Sequence, residues 1–304
     1  MCGCICGPTC GDNIKVSKNA SIIGGILYIQ HQDFNRDFVQ IIEIAYIEGD
    51  EVKDYDKEVI IVLNKKKIEI NRNYNCYGIA GGIFKKLGKY DIKIIINPRL
   101  TYFSFHDNTN LLSVDLSKVK TSNINNMYIM FFGCTILNEI KGLDYFNTSN
   151  VQNMSNMFEY CYELKNIDNL SYFDTSNVVN MQFMFNHCNK LKQIKGIENF
   201  NTSKVTNMNG MFSHCYELEY IDLSKFDNSN ITNMNRMFYK CFKLKEIKGI
   251  NEILNVCQVV NMDEMLYGCK KLKNIDLTQL DNKITCAQNT NVSVQYNYNN
   301  AQYI

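Results

Sequence analysis

Thiols are the most reactive groups in this chain, and their spacing divides them into two sets. Cys2, Cys4, Cys6 and Cys10 crowd into the N-terminal run MCGCICGPTCGDN. Thiolates this close can chelate Zn²⁺ or Cu(I), but no histidine or second cysteine pair follows nearby to complete a ligand set. Cys2, Cys4 and Cys6 are equally suited to S-acylation, which would attach the chain peripherally to a membrane. N-myristoylation is excluded because residue 2 is cysteine, not glycine. The start Met-Cys-Gly also suits an enzyme with a liberated N-terminal cysteine nucleophile, yet nothing else of such an enzyme is recognisable. The second set, Cys134, Cys161, Cys188, Cys215, Cys241 and Cys269, is spaced by 27, 27, 27, 26 and 28 residues. Such regularity belongs to a scaffold.

Other reactive patterns are thin. His187 and His214 each precede a repeat cysteine, so they should be neighbours, and two imidazoles so placed could form a metal pair. Gly133, Tyr160, Lys240 and Gly268 fill the same position elsewhere, which reads as an outward, unconstrained site. With four histidines in all, no Ser/His/Asp or Cys/His constellation can be assembled. Gly81-Gly82 and Gly88-Lys89 suggest a phosphate loop, but five residues separate Gly82 from Gly88 where four are required, and Tyr90 replaces the Mg²⁺-binding hydroxyl. No catalytic residue and no cofactor are expected.

Composition narrows the classes further. The 304 residues carry 32 basic and 31 acidic side chains, a net charge of +1. A surface built to hold duplex nucleic acid usually shows a basic excess, so no nucleic-acid partner is expected. No run of 18 apolar residues occurs, so no transmembrane helix is expected. The N-terminus lacks the basic and apolar regions of a secretory signal, which favours a cytoplasmic, membrane-peripheral or particle-associated chain with reduced thiols over classical secretion.

The cysteines of the second set lie in one frame, N-M-x-x-M-[FL]-x-x-C-x-x-L-x-x-I, and every methionine except Met1 falls in it. The second unit shows its logic. Val151, Met154, Met157, Phe158 and Cys161 recur as one face of a short helix, with Thr148-Ser149-Asn150 placed to cap it. Leu164-x-x-Ile167 is too short for another helix and reads as a strand. Phe105, Asn108, Leu111 and Val114 form a preceding half-unit, and a fragment ending near Ile284 follows. One unit cannot bury its own apolar side, whereas stacked units share a core. Helices about 10 Å apart would hold neighbouring cysteines beyond disulfide reach.

Four regions follow: a cysteine-rich N-terminus (1–19), a β-rich domain capping the first edge (20–100), the repeat array of six full units with partial ends (101–284), and a terminal cap or disordered tail (285–304). Cys76 to Lys89 should include one short helix within the β-rich domain.

The segments FNTSNVQNMSNMFEYCYELKNID, FDTSNVVNMQFMFNHCNKLKQIK and FNTSKVTNMNGMFSHCYELEYIDLSKFDNSNITNMNRMF resemble the BspA-like leucine-rich-repeat family, common on bacterial and mycoplasmal surface proteins and in protist and large-DNA-virus genomes. The resemblance covers residues 105 to about 284. It implies an α/β fold, a leucine-rich-repeat solenoid with a parallel strand ladder and short helices outside. It also implies a non-enzymatic role in protein binding or adhesion. A structural component of a virion or cytoskeletal particle is the alternative.

The residue after the strand isoleucine runs Asp115, Lys141, Asp168, Lys195, Asp222, Lys248, Asp276, alternating in sign. Parallel strands lie about 4.8 Å apart, so each charge should meet an opposite one on both sides. Such a row neutralises itself and fixes register, and it also offers a polar recognition strip on the concave face. That face is expected to comprise Glu139 and Lys141, Asn166 and Asp168, Gln193 and Lys195, Tyr220 and Asp222, and Glu246 and Lys248, with a protein as partner.

Overall fold

A computed structural model describes residues 21–29, 39–46, 59–63, 66–68, 77–82, 88–96, 100–168, 170–254 and 261–273. The N-terminal cysteines, Cys76, Asp276 and the tail from 285 lie outside the described residues. The described residues before 105 are strands: β1 (Ser21–Ile29), β2 (Val39–Tyr46), β3 (Val59–Leu63), β4 (Lys66–Ile68), β5 (Tyr77–Gly82), β6 (Gly88–Ile96) and β7 (Leu100–Ser104). Of the stretch from Cys76 to Lys89, in which a short helix is expected, β5 occupies 77–82 and β6 begins at Gly88; Cys76 and residues 83–87 lie outside the described residues. β-Branched residues, as in the Ile94-Ile95-Ile96 run, favour the pleated surface. Because Gly88-Lys89 opens a strand and not a helix, the phosphate-loop geometry is also absent there.

β6 pairs antiparallel with β1 from Ser21↔Ile96 to Ile29↔Gly88. On its other edge β1 pairs antiparallel with β8 (Leu111–Lys118), and β8 pairs parallel with β9 (Glu139–Lys141). The strand order β4-β3-β6-β1-β8-β9 thus passes from an antiparallel sheet into the first coil of the repeat array without a break. β2, β5 and β7 form a separate three-stranded sheet.

From residue 105 onward, coils of about 27 residues stack in parallel. The residues the repeat frame turns inward are buried: Val151, Met154, Met157, Phe158, Cys161, Leu164 and Ile167 in one coil and their counterparts in the others form one continuous core. Phe105, Phe131, Phe158, Phe185, Phe212 and Phe238 stack ring on ring at 5.2–5.6 Å. The spacing is that of strands.

The expected helices are not there. Residues such as 155–160 form consecutive tight turns, and the only α-helix among the described residues is the five-residue Ile250–Leu254. Two left-handed residues per coil interrupt any helix, as at Asn156 (φ 58°) and Tyr160 (φ 62°). Backbone donors alternate in purpose. Met154, Asn156, Phe158 and Tyr160 donate to Asn180, Gln182, Met184 and Asn186 of the next coil at 2.8–3.0 Å. Residues between and after them close three-residue turns, as Glu159 does onto Asn156 and Cys161 onto Phe158. This gives up the i→i−4 bonds of a helix for bonds between coils. A chain of three-residue turns repeats its inward residues at nearly helical spacing, so the apolar pattern alone does not separate the two.

The Asn of each frame anchors this side. Asn126, Asn153, Asn180, Asn207, Asn233 and Asn261 form consecutive parallel bridges, and each side chain accepts the N–H two residues ahead. The residues expected to cap a helix tie coils together instead. Thr148 Oγ1 donates to the carbonyl of Asp174, and Asn150 Nδ2 to that of Ser122.

On the strand side the pairing is by twos: β8 with β9, β10 (Asn166–Ile167) with β11 (Gln193–Ile194), and β12 (Tyr220–Asp222) with β13 (Glu246–Lys248). The backbone explains the doublet. Gly142, Gly196 and Gly249 follow the lysines of alternate coils with φ of 84–94°. A Cβ on Gly196 would sit 2.0 Å from the backbone nitrogen of Ser171 in the preceding coil. The aspartate coil carries the complementary turn: Ser224 donates its N–H and its hydroxyl to Asp222 Oδ1 at 3.0 and 2.6 Å. Alternating charge is one symptom of a two-coil repeat.

Candidate interaction surface

The ten strand residues named from sequence lie together on one solvent-facing strip. Glu139, Lys141, Asn166, Asp168, Gln193, Lys195, Tyr220, Glu246 and Lys248 are exposed, and Asp222 is half-exposed. Between them Ile167, Ile194, Ile221 and Ile247 point into the core. Strand alternation does this sorting.

The ion pairs follow the doublets. Lys195 Nζ lies 2.9 Å from Asp168 and Lys248 Nζ 2.8 Å from Asp222. Lys141 pairs at 3.1 Å with Glu139 of its own strand. The expectation of an opposite neighbour on both sides of each charge is thus corrected to pairing within doublets, because the strands are hydrogen-bonded two by two. The hydrogen bond from Lys248 holds the Asp222 carboxyl down at about 2, with Ser224 assisting.

In the expected architecture, helices about 10 Å apart on one side and strands at about 4.8 Å on the other bend the strip into a concave face. The outer helices are replaced here by turns bonded from coil to coil, while on the strand side the bonding is two by two.

Two features escaped the sequence reading. A second alternating row lies two residues after the cysteine: Glu163 pairs with Lys190 at 2.6 Å and Glu217 with Lys243 at 2.7 Å. Glu219 also pairs with Lys245. The signs at that offset were visible in the sequence.

The other feature is a row of rings on the turn side. Tyr160 stacks on His187 at 5.0 Å and His187 on His214 at 3.9 Å. His214 meets Tyr239 edge-on at 5.2 Å, and Tyr239 stacks on Tyr267 at 5.2 Å. Arg236 and Lys240 lie over Tyr239. The position before the cysteine, read as unconstrained, is in fact left-handed in every coil from Gly133 to Gly268. Burial lowers His187, with Lys240 adding to the effect. Burial, then His187, Lys240 and Arg236, brings His214 down to about 4. The rings lie nearly parallel, at 9°, and among the described residues no three of His, Cys, Asp and Glu gather as a metal site.

The repeat thiols are free and point inward. Each Sγ donates to the carbonyl of the phenylalanine one coil back, as Cys188 does to Phe158 at 3.1 Å. Burial pushes Cys134, Cys161, Cys188, Cys215 and Cys241 well above the usual thiol range, so they are poor nucleophiles and poor metal ligands. The 10 Å separation expected to forbid disulfides does not exist, since coils stack at strand spacing; seating against these carbonyls keeps the thiols apart. Glu159 is buried, bonded to the side-chain amides of Asn156 and Asn186, and raised by burial.

Comparison with known proteins fits the repeat region. Residues 99–196 and 162–280, together more than half of the chain, match the family described as "Mycoplasma protein of unknown function, DUF285". No curated protein matches. A crystal structure of a leucine rich cell surface protein from Faecalibacterium prausnitzii A2-165 aligns at 17% identity with a TM-score of 0.25. The alignment covers 53% of this chain and 60% of that one, less than two thirds of its length. No helix among the described residues is long and apolar enough to cross a membrane.

Proposed function

Because the chain belongs to the DUF285 family, whose function is unknown, we propose that it is a non-enzymatic protein-binding scaffold of the BspA-like leucine-rich-repeat kind, a solenoid that meets its partner with the strand face. The observation that carries this reading is the exposed strip from Glu139 to Lys248, in which charged and amide side chains surround Tyr220, 47% exposed. Large aromatics within a polar patch are favoured contact anchors. The charges orient a partner more than they hold it, since exposed pairs contribute about 0–1 kcal/mol each. Adhesion at a surface is one setting for such a scaffold. Incorporation into a virion or cytoskeletal particle is the second reading. The chain acts without cofactor, and membrane attachment, where it occurs, runs through the N-terminal cysteines.

The test is capture of partners from the source cell or particle with the intact chain as bait. Tyr220→Ala should weaken capture more than Lys195→Ala, with unchanged melting temperature for both. Retention of every partner by the variant with Tyr220, Lys195 and Asp222 all replaced by alanine would remove the strand face from consideration.

A further inference from the structure

The signs on the strand strip have a symmetry property that pairing within one chain leaves unused. Counting coils by their cysteines, the coils of Cys161, Cys188, Cys215 and Cys241 present Asp168, Lys195, Asp222 and Lys248, or minus, plus, minus, plus. An even, alternating series is turned into its opposite when it is read backwards. We infer that the strand strip is a self-complementary surface whose partner is a second copy of this chain, docked face to face about a two-fold axis parallel to the strands and lying between β11 and β12. This inference rests on the reading of the strand face as the contact surface.

The axis reverses the order of coils and keeps the position along each strand. Asp168 then faces Lys248 of the second copy, and Lys195 faces Asp222 of the second copy. The row Glu163, Lys190, Glu217, Lys243 carries the same signs in the same coils and becomes complementary under the same operation. Lys192 likewise comes opposite Glu219, and Lys165 opposite Lys245 is the one like-charged match. Near the axis the facing residues are Gln193 and Tyr220, so the exposed aromatic of each copy lies at the centre of the contact, where anchors are effective.

Two features of the strip favour this occupant. The charged groups are accessible: side chains of Asp168, Lys195 and Lys248 keep 53%, 66% and 55% of their exposure despite their ion pairs, and Asp222 keeps 21%. Register is also specified. A slip by one coil puts the axis through a coil, and every charge in both rows then meets its own sign. A shift of two coils, to an axis between β10 and β11, matches Asp115 and Lys141 with Lys248 and Asp222 in the strand row, but in the second row it sets Glu217 opposite Ile136 and leaves Lys243 without a charged counterpart. Rotation about the stacking direction instead brings each coil onto itself and places like bands together. Of these arrangements only the axis between β11 and β12 matches all four coils in both rows.

The contact is modest in size and held by exposed charges, so a dissociation constant on the order of 10–100 μM is expected. Sedimentation equilibrium of the full chain should show monomer and dimer, with association at least ~10-fold weaker in high salt than in low salt. Two variants give the strand row a single sign across the four coils: Asp168→Lys with Asp222→Lys makes that row basic, and Lys195→Asp with Lys248→Asp makes it acidic. Each alone should be monomeric, and an equimolar mixture should form a 1:1 heterodimer. The proposal is overturned if the wild type stays monomeric at millimolar concentration in low salt, or if folded variants do not associate when mixed. Should either variant fail to fold, the salt dependence of the wild type decides: a dimer indifferent to salt is held by some other surface. A monomeric wild type whose Tyr220, Lys195 and Asp222 alanine variant still loses captured partners would remove self-pairing and leave the broader reading intact. A salt-sensitive dimer accompanied by unchanged capture would do the reverse.

Discussion

Met181 and Met208 sit in central coils with no exposed surface, and their role is to fill the coil interior between the phenylalanine column and the Asn-bridged edge. An unbranched side chain suits a gap whose walls are turns and not regular helices. Met181→Ala or Met208→Ala should cost about 2–5 kcal/mol of unfolding free energy, with a smaller loss at Met265 in the last described coil, as measured by denaturant titration. Equal and negligible losses would mean the interior is assigned wrongly. The inward residues were legible from sequence because burial selects side-chain type directly. The His187–His214 stack was not, since the rings come together only when the coils are stacked. It has a pH consequence. Folded His214 titrates near 4 and His187 below its usual value, whereas unfolded imidazoles titrate near ~6.5. The unfolded state therefore binds protons first as pH falls, so stability is complete above the unfolded value and declines below it. Replacing both, His187→Phe with His214→Phe, should flatten the fall in melting temperature between pH 7 and pH 5, before most carboxylates titrate. An equal or steeper fall would show that burial and the neighbouring cations do not depress the pair as described.

At the scale of elements, the repeat length and the strand were legible and the helix was not. Val151, Met154, Met157 and Cys161 satisfy a helical face and a run of three-residue turns alike. The decision falls to bonds with the neighbouring coil, such as Met154 to Asn180, which no single unit encodes. Weak signals were present: glycine at Gly133, Gly210 and Gly268 stands where the chain needs φ above zero, amid residues of poor helix propensity such as Asn. The doublet repeat was also written in the sequence, as Lys-Gly in coils ending at Gly142, Gly196 and Gly249 and aspartate without glycine between them. Gly196→Ala would drive a Cβ into the backbone of Ser171 and strain φ at 94°. Gly210 occupies a position where other coils carry Ile129, Asn156, Phe183, Arg236 and Glu264 at the same φ sign. Gly196→Ala should therefore lower the melting temperature far more than Gly210→Asn. The opposite order would contradict the close coil-to-coil contact at the glycine turn.

For the whole molecule, stacking decides which surface is free to act. The core is continuous from Phe103 to Leu272, and the first coil is bonded through β8 to β1 of the N-terminal sheet. Backbone groups on the turn side are bonded from coil to coil and those on the strand side within doublets. The composition of the exposed strip and its sign pattern could be read from the chain because strand alternation is a local rule. What backs the strip on the far side of the coil, turns and not helices, could not. In the proposed function the strand strip, and not the ring row on the turn side, meets the partner. Replacing Tyr220 with a photoreactive benzoylphenylalanine in the full chain, and separately Tyr267 on the turn side, separates the two surfaces in the source cell. An adduct with a second copy or another protein is expected from position 220 and none from 267. Adducts from 267 alone would place the contact on the ring row instead.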